Sequence, residues 1–135
     1  AICHWNVYYK TAIQAAMDCG GDASKFVENM GGNAYYAGLA EGFVDASPLN
    51  ASTAAPYTDK IMNAVRELMK SGKWDVFSGV KLSYEVKNGT VEISRNSADL
   101  EDNQGNVIVF AGEPSVDDSV IKGSMNYNVA GVVEG

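Results

Sequence analysis

The single histidine of the chain is the first residue to consider for chemistry, because it stands beside a cysteine. His4 follows Cys3 directly, and no other histidine occurs in the 135 residues. A thiol nucleophile needs a base within hydrogen-bonding distance. The segment 1–5 is predicted to be a strand, in which adjacent residues point to opposite faces. The pair is therefore poorly placed as a catalytic dyad, and the sequence predicts no nucleophilic enzyme.

Carboxylates are plentiful, but their surroundings indicate a solvated surface and not an acid–base site. Neighbouring carboxylates occur as Asp117-Asp118 and within the polar stretch 99–102. In such polar segments, exposure to water is the ordinary explanation for a cluster of acidic residues. The stretch 99–105 lacks the alternating acidic ligands and the terminal glutamate of an EF-hand. Cys3 and Cys19, with one histidine, do not form a structural zinc pattern. We therefore expect no metal site, no cofactor and no enzymatic activity.

Aromatic residues offer a different kind of chemistry. Five of them lie in two short segments of the chain: Trp5, Tyr8, Tyr9, Tyr35 and Tyr36. Strand ends and loops of an α/β sheet commonly form a ligand crevice. His4, Trp5 and Asn6 combine an aromatic face with hydrogen-bonding groups, which suits a planar base or a polyhydroxylated ring. Core packing accounts for most of these aromatics, and ligand contact is the alternative.

The composition limits the fold and the partners. A length of 135 residues fits one compact domain. The net charge of -7 works against binding of nucleic acid and of anionic membranes. The sequence contains no apolar run of the roughly 18 residues that a transmembrane helix needs. Because the chain opens on Ala1 without a methionine or a leader pattern, we expect it to be a piece cut from a longer protein.

A strand and a helix must position the first aromatic segment. The sequence predicts a strand over 1–5, and apolar residues at helical spacing predict a helix over 8–17 that ends at Gly20-Gly21. A glycine-bounded connection is expected over 22–32. One or two short strands are predicted next, within 33–39 and 42–45.

The rest of the chain is predicted to be one helix followed by β structure. Apolar spacing predicts a helix over 57–69, with Pro56 in its first turn and a cap at Ser52 or Thr53. Asn88-Gly89 predicts a type I′ hairpin turn, because both of its central residues need positive φ. The remaining predicted elements are strands over 74–77 and 82–86, a polar loop over 96–106, a strand over 107–110, a helix capped by Ser115 and a last strand over 129–133.

Five segments match, in the same order, five motifs of one known family. His4 to Tyr9 resembles Asn-Trp-Gly-Pro-Tyr-Tyr, and 35–50 resembles Tyr-Trp-Gly-Gly-Leu with Gly-Val-Val-Asp-Leu-Ala-Pro-Leu-Asn. Residues 70–79 are similar to Gly-x-Phe-x-Val-Phe-Thr-Gly, 109–113 to Val-Pro-Ala-Gly-Glu, and 124–133 to Ser-Met-Asp-Trp with Val-Glu-Gly-Val-Val. As a set, these segments resemble the basic membrane protein family of substrate-binding lipoproteins that serve ABC transporters.

The resemblance implies an α/β fold that is part of a type I periplasmic-binding-protein fold, in which two Rossmann-like lobes close on a ligand. Residues 1–135 would form a single domain, the C-terminal portion of the two-lobed protein. The chain is longer than the family between Ser78 and Val107, where the Asn88-Gly89 hairpin would be an added surface element. The implied function is that of the extracytoplasmic substrate-binding component of an ABC importer, for purine nucleosides or related small molecules.

The resemblance also implies four ligand-binding residues, His4, Trp5, Asn6 and Tyr36. His4 lies nearest to a family lysine that contacts ribose, Trp5 matches the family tryptophan, and Asn6-Val7 replaces Gly-Pro. The partners would be a nucleoside, a purine base or a sugar as ligand, and an ABC permease, with no nucleic acid. The parent protein would be a membrane-anchored extracytoplasmic lipoprotein. The alternative is a stand-alone α/β binding module that self-associates as a homo-oligomer and has no transport role.

Overall fold

The computed structural model describes residues 1–132, and these combine helices with strands. The chain forms two compact units, one over Ala1–Ala54 and one from Ala55 onward. Each sheet within the described residues consists of two antiparallel strands. The presence of both helices and strands agrees with the predicted α/β class. The periplasmic-binding-protein fold and the assignment of residues 1–135 to a single domain stay predictions.

The first unit joins a short sheet to two helices. β1 (Ile2–Cys3) pairs antiparallel with β2 (Val44–Asp45). α1 (Trp5–Asp18) begins one residue after β1, and α2 (Ala23–Asn29) follows the turn at Gly20. The close spacing of β1 and α1 brings the first aromatic segment to the end of the small sheet.

Three predictions in this unit are corrected by the structure. The strand predicted over 1–5 is shorter, because α1 already begins at Trp5. The connection predicted over 22–32 contains α2, since the Asp22 carboxylate accepts hydrogen bonds from the amides of Ser24 and Lys25 and so caps a helix. Residues 33–39 form no strand, and of the strand predicted over 42–45 only Val44–Asp45 is one, β2.

Between residues 55 and 132, the second unit contains two helices and two pairs of antiparallel strands. Its longest helix is α3 (Thr58–Lys70), which confirms the predicted helix. The other elements are β3 (Val80–Lys87), β4 (Thr90–Ser97), β5 (Leu100–Glu101), β6 (Val107–Val109) and α4 (Asp118–Gly123). β3 pairs with β4 and β5 pairs with β6, each antiparallel.

The hairpin of β3 and β4 forms as its turn sequence predicts. Asn88 and Gly89 have φ of 51° and 77°, the positive values that a type I′ turn requires. The strands pair from Val80 opposite Ser97 to Lys87 opposite Thr90 without a bulge. One face of the ribbon is therefore mainly apolar and the other polar. The Lys60 ammonium on α3 donates to the Gly89 carbonyl at 2.8 Å and ties the turn to the helix.

Several boundaries in the second unit differ from the predictions. Pro56 precedes α3, whose N-cap is Tyr57 with φ of 67° and no side-chain hydrogen bond; Ser52 and Thr53 do not cap it. Their hydroxyl groups instead bond to Asn50 in a local turn. α4 is capped by Asp117, whose carboxylate accepts from the Ser119 amide, and not by Ser115.

The β predictions also need correction. Residues 74–77 form no strand: a turn occupies Val76 and Phe77, and the Asp75 carboxylate accepts from the Phe77 amide at 2.8 Å. The predicted loop over 96–106 contains the end of β4 and all of β5, so it is only partly a loop. In the predicted strand 129–133, Val129 forms one isolated bridge with Asp102, and Val133 lies outside the described residues.

Little apolar surface is deeply buried in either unit. Among residues 1–132 the buried hydrophobic side chains are Ala15, at 4% exposure, and Val109, at 8%. α1 exposes a stripe of large apolar side chains at four-residue spacing: Trp5, Tyr9, Ile13 and Met17. In the same part of the chain no helix has the length and apolarity needed to cross a bilayer.

Asp102 makes the second unit sensitive to acid. Its carboxylate accepts hydrogen bonds from the Asn106 side chain and from the amides of Asn106 and Gln104, all at 2.8 Å, and these bonds lower the pKa of Asp102. Because the pKa of Asp102 is lower in the folded state, the unfolded chain binds more protons at acidic pH. The hydrogen-bonded carboxylate therefore stabilises the fold above about pH 4, and this stabilisation is lost as the pH falls through the pKa of the folded state.

We expect urea midpoints measured from neutral pH down to about pH 2 to fall less steeply for Asp102→Asn than for the wild type. The amide of the variant cannot be protonated in this range, so the part of the acid dependence that Asp102 contributes disappears. Identical slopes for the two proteins would show that Asp102 does not contribute to acid unfolding.

Candidate functional site

Four aromatic rings of the first unit form a closed cycle of edge contacts. Trp5 contacts Tyr8 and Phe43, with ring centroids 6.1 and 5.6 Å apart. Tyr35 contacts the same two partners at 5.2 and 5.4 Å. The four contacts have interplanar angles from 66° to 90°, the edge-to-face geometry that aromatic pairs prefer. We call Trp5, Tyr8, Tyr35 and Phe43 the aromatic cluster.

Backbone hydrogen bonds bring the two halves of the aromatic cluster together. The His4 amide donates to the Phe43 carbonyl at 2.7 Å, next to the β1–β2 pair. The Phe43 amide donates to the Gly38 carbonyl at 3.0 Å, which folds the segment after Tyr35 back on itself. Gly42 has φ of 72°, a value that suits glycine at this bend. Backbone hydrogen bonds of Phe43, to His4 and to Gly38, therefore hold the rings of the two segments close together.

A carboxylate closes the same bend. The Glu41 side chain accepts a hydrogen bond from the Gly38 amide at 2.7 Å. This bond is the main reason that the pKa of Glu41 lies below its usual range. Glu41 is consequently ionised at neutral pH and holds the turn that precedes Phe43.

The structure places three of the four predicted site residues, His4, Trp5 and Asn6, at the start of α1, and Trp5 alone of the four takes part in the ring contacts that define the aromatic cluster. His4 is the N-cap residue of α1 and its side chain makes no capping hydrogen bond. Trp5 is a member of the cluster and remains 57% exposed. Asn6 lies on the first turn of α1. Tyr36 is 68% exposed and is absent from the four ring contacts that define the cluster.

Phe43 is the member of the aromatic cluster that the sequence analysis did not identify. In the sequence it belongs to the predicted strand segment 42–45 and to the segment 35–50 that carries the resemblance, and neither marks it as a partner of Trp5. A large aromatic residue between Gly42 and β2 could have indicated a ring packed at the end of the small sheet. Tyr9, which the sequence did group with the other aromatics, contacts Tyr8 at 5.6 Å but is itself 58% exposed.

A groove of about 740 Å³ runs along α1, and one of its lining residues, Asn6, follows Trp5 of the aromatic cluster in the chain. We call it the polar groove, after the charged and amide groups that it offers. Its polar side chains recur every four residues on one face of the helix and are joined by two residues from the following segments: Asn6, Lys10, Gln14, Asp18, Asn29 and Glu41. Val7, Thr11 and Ala15 also line it and add apolar surface. The Gln14 amide donates to the Asp18 carboxylate at 3.0 Å. The groove thus offers both hydrogen-bond donors and acceptors, with amides and carboxylates that suit hydroxyl groups.

The sulfur and carboxylate groups form no metal centre in the part of the chain that the structure describes. No three or more His, Cys, Asp or Glu side chains come together there in a way that could hold an ion. Cys3 and Cys19 are free thiols. The arrangement that the structure does provide is an aromatic surface next to a groove of neutral and charged polar groups.

A comparison of the chain with protein-family models, with curated proteins and with solved structures finds no match.

Proposed function

We propose that the chain belongs to the extracytoplasmic substrate-binding component of an ABC importer and that its ligand is a purine nucleoside or a related small molecule. The observation that carries the proposal is the position of Trp5. Edge contacts from Tyr8 and Phe43 hold its indole, yet more than half of its surface is exposed. An aromatic ring held in this way offers a surface on which a planar base stacks.

The polar groove suits the other half of a nucleoside. Asn6 follows Trp5 directly in the chain and lines the groove, so a base on Trp5 and a ribose at Asn6 would occupy neighbouring positions. The amides of Asn6 and Asn29 can both donate to and accept from ribose hydroxyl groups. His4 and Tyr36 would add contacts at the near end. In this proposal the ligand is bound and passed to a permease, and no bond in it is changed.

The sequence supports the proposal from a separate direction. The segments that carry the resemblance to the basic membrane protein family include both the residues around Trp5 and those around Tyr35. These two segments are the ones that meet in the aromatic cluster. Export of the parent protein and its attachment to a membrane by a lipid are parts of the same proposal.

Replacement of Trp5 tests this function directly. Calorimetric titration of the chain with adenosine, adenine and ribose should show that the nucleoside binds most tightly. In Trp5→Ala the affinity for adenosine should fall about tenfold or more, because stacking of one base on an aromatic ring contributes about 1–3 kcal/mol. Trp5→Phe should retain part of the affinity, since it keeps an aromatic face.

Tyr84→Ala is the matched control, because Tyr84 is equally exposed at 58% but lies on β3 in the second unit. It should leave adenosine binding unchanged. Circular dichroism of each variant shows whether it is folded. Equal affinity of folded Trp5→Ala and wild type would rule out stacking on Trp5, and binding of a sugar without any purine would replace the nucleoside by another transported ligand.

The second candidate function is self-association, and the exposed stripe on α1 favours it. Trp5, Tyr9, Ile13 and Met17 keep between 57% and 72% of their surface in contact with water. An exposed apolar stripe of this size on a helix is often covered by a partner. Light scattering over a range of protein concentrations tests self-association. A dimer that Ile13→Asp converts to a monomer would support it, and a monomer at all concentrations would rule it out.

A further inference from the structure

The second unit contains a cleft that is built from three segments distant in sequence. Its volume is about 500 Å³, and its walls come from 72–80, 95–97 and 112–115. The Gly79 amide donates to the Glu113 carbonyl at 3.0 Å, and the Gly112 amide donates to the Gly79 carbonyl at 2.7 Å. These bonds fix the first wall against the third, so the cleft is formed before any ligand arrives.

Two side chains on the walls are held by carbonyl groups of the same unit. The Arg95 guanidinium donates through Nη1 to the Lys73 carbonyl at 2.8 Å. The Trp74 indole N–H donates to the Val80 carbonyl at 2.8 Å. Arg95 has five N–H donors, so this bond leaves most of them for other acceptors. The cleft therefore combines a positioned guanidinium with the half-buried surface of an indole.

Charges of both signs line this cleft without neutralising one another. Lys73 and Arg95 provide two cations, and Asp75 and Glu113 provide two carboxylates. Among the ion pairs recorded within residues 1–132, none joins any two of these four groups. One Asp75 oxygen accepts from the Phe77 amide, and Glu113 is bonded through its backbone only. The lining is neutral as a whole, which disfavours a ligand that is purely anionic or purely cationic.

We propose that this cleft binds a small zwitterion, a free α-amino acid or a compound with the same pair of charges. The ligand carboxylate would meet Arg95 and Lys73, and its ammonium group would meet Glu113 and Asp75. Each contact is a charge-assisted hydrogen bond, stronger than one between neutral groups. The Trp74 surface suits the side chain of the ligand. The site is separate from the aromatic cluster and does not depend on the function proposed for it.

Calorimetric titration of the whole chain with glycine, alanine and tryptophan tests the site, with acetate and methylammonium as ligands that carry only one of the two charges. At least one amino acid should bind saturably, and each single-charge compound should bind at least about tenfold more weakly, since it loses one charge-assisted contact. The variant Glu113→Gln keeps the shape of the side chain and should weaken amino-acid binding about tenfold. Lys73→Met, whose backbone carbonyl still accepts from Arg95, provides a second variant in case Glu113→Gln does not fold.

Glu28→Gln is the matched control, because it removes one negative charge from α2 in the first unit. It should not alter amino-acid binding. Three results would overturn the proposal: no saturable binding of any of the three amino acids, acetate binding as tight as that of glycine, or an equal loss of affinity in Glu28→Gln and Glu113→Gln. Adenosine titrated into Glu113→Gln should bind as it does to the wild type, so failure at this cleft and failure of the nucleoside proposal are distinguished.

Discussion

Gly79→Ala is expected to destabilise the second unit by about 3 kcal/mol or more. A Cβ atom at this position would penetrate the Phe110 carbonyl oxygen and lie 2.9 Å from the Phe110 carbonyl carbon and 3.0 Å from the Gly112 nitrogen. All three atoms belong to the backbone, so no side chain can rotate to make room. The φ of Gly79 is not positive, and the effect is therefore steric and does not arise from conformational strain.

The hydrogen bonds around Gly79 amplify this effect. Its amide donates to Glu113, and its carbonyl accepts from both Ala98 and Gly112, at 3.1 and 2.7 Å. Displacement of the Phe110–Gly112 backbone would lengthen these bonds, each of which contributes about 1 kcal/mol. Urea unfolding followed by the fluorescence of Trp74, which lies in the same unit, measures the loss. Trp5→Phe in the background leaves Trp74 as the sole reporter.

Gly123→Ala serves as the control for the Gly79 prediction. Gly123 is the last residue of α4, no atom lies within 4 Å of the position that its Cβ would take, and its φ is not positive. Alanine there should be neutral or stabilise by up to about 1 kcal/mol, as it does in helices. If both variants lost the same stability, steric exclusion at Gly79 would not be the cause.

Local chemistry accounts for what the sequence predicted well. The hairpin register follows from Asn88-Gly89, because the turn type fixes which residues face each other. α3 follows from apolar residues at helical spacing, and the helix lies against β4 of the hairpin. α2 was missed because seven residues between glycines show little periodicity, and only Asp22 marks its start. Elements with a strong local pattern were thus predictable, and short capped ones were not.

Contacts between distant residues account for what could not be predicted. The segments 70–79 and 109–113 were both noted for their family resemblance, but nothing in either one shows that Gly79 bonds to Glu113. The cleft between them follows from that pairing. In the same way, the sequence grouped Trp5 with Tyr8 and Tyr35 by residue type, while the contact of Phe43 with two of them depends on the β1–β2 pairing. Residue types in the sequence indicated which aromatics to consider, and the β1–β2 pairing determines which of them come into contact.

Phe43→Ala is expected to destabilise the first unit by about 2 kcal/mol. A buried phenylalanine replaced by alanine costs about 3–5 kcal/mol, and the half-buried position of Phe43 lowers that figure. Two aromatic contacts are lost, with Trp5 and with Tyr35, and each contributes about 0.5–1.5 kcal/mol beyond area burial. In a Trp74→Phe background, urea unfolding followed by Trp5 fluorescence should show an earlier midpoint.

The matched control for Phe43 is Phe110→Ala. Phe110 is 69% exposed and belongs to none of the recorded ring pairs, so its replacement should change stability by less than about 0.5 kcal/mol. A folded Phe43→Leu variant separates ring contacts from bulk, because leucine restores most of the volume without an aromatic edge. If Phe43→Leu is stable but binds adenosine less tightly than the wild type, the edge contact of Phe43 orients Trp5 for stacking. If it is stable and binds equally, Phe43 acts only by filling space, and Trp5 needs no ring partner at that side to hold a base.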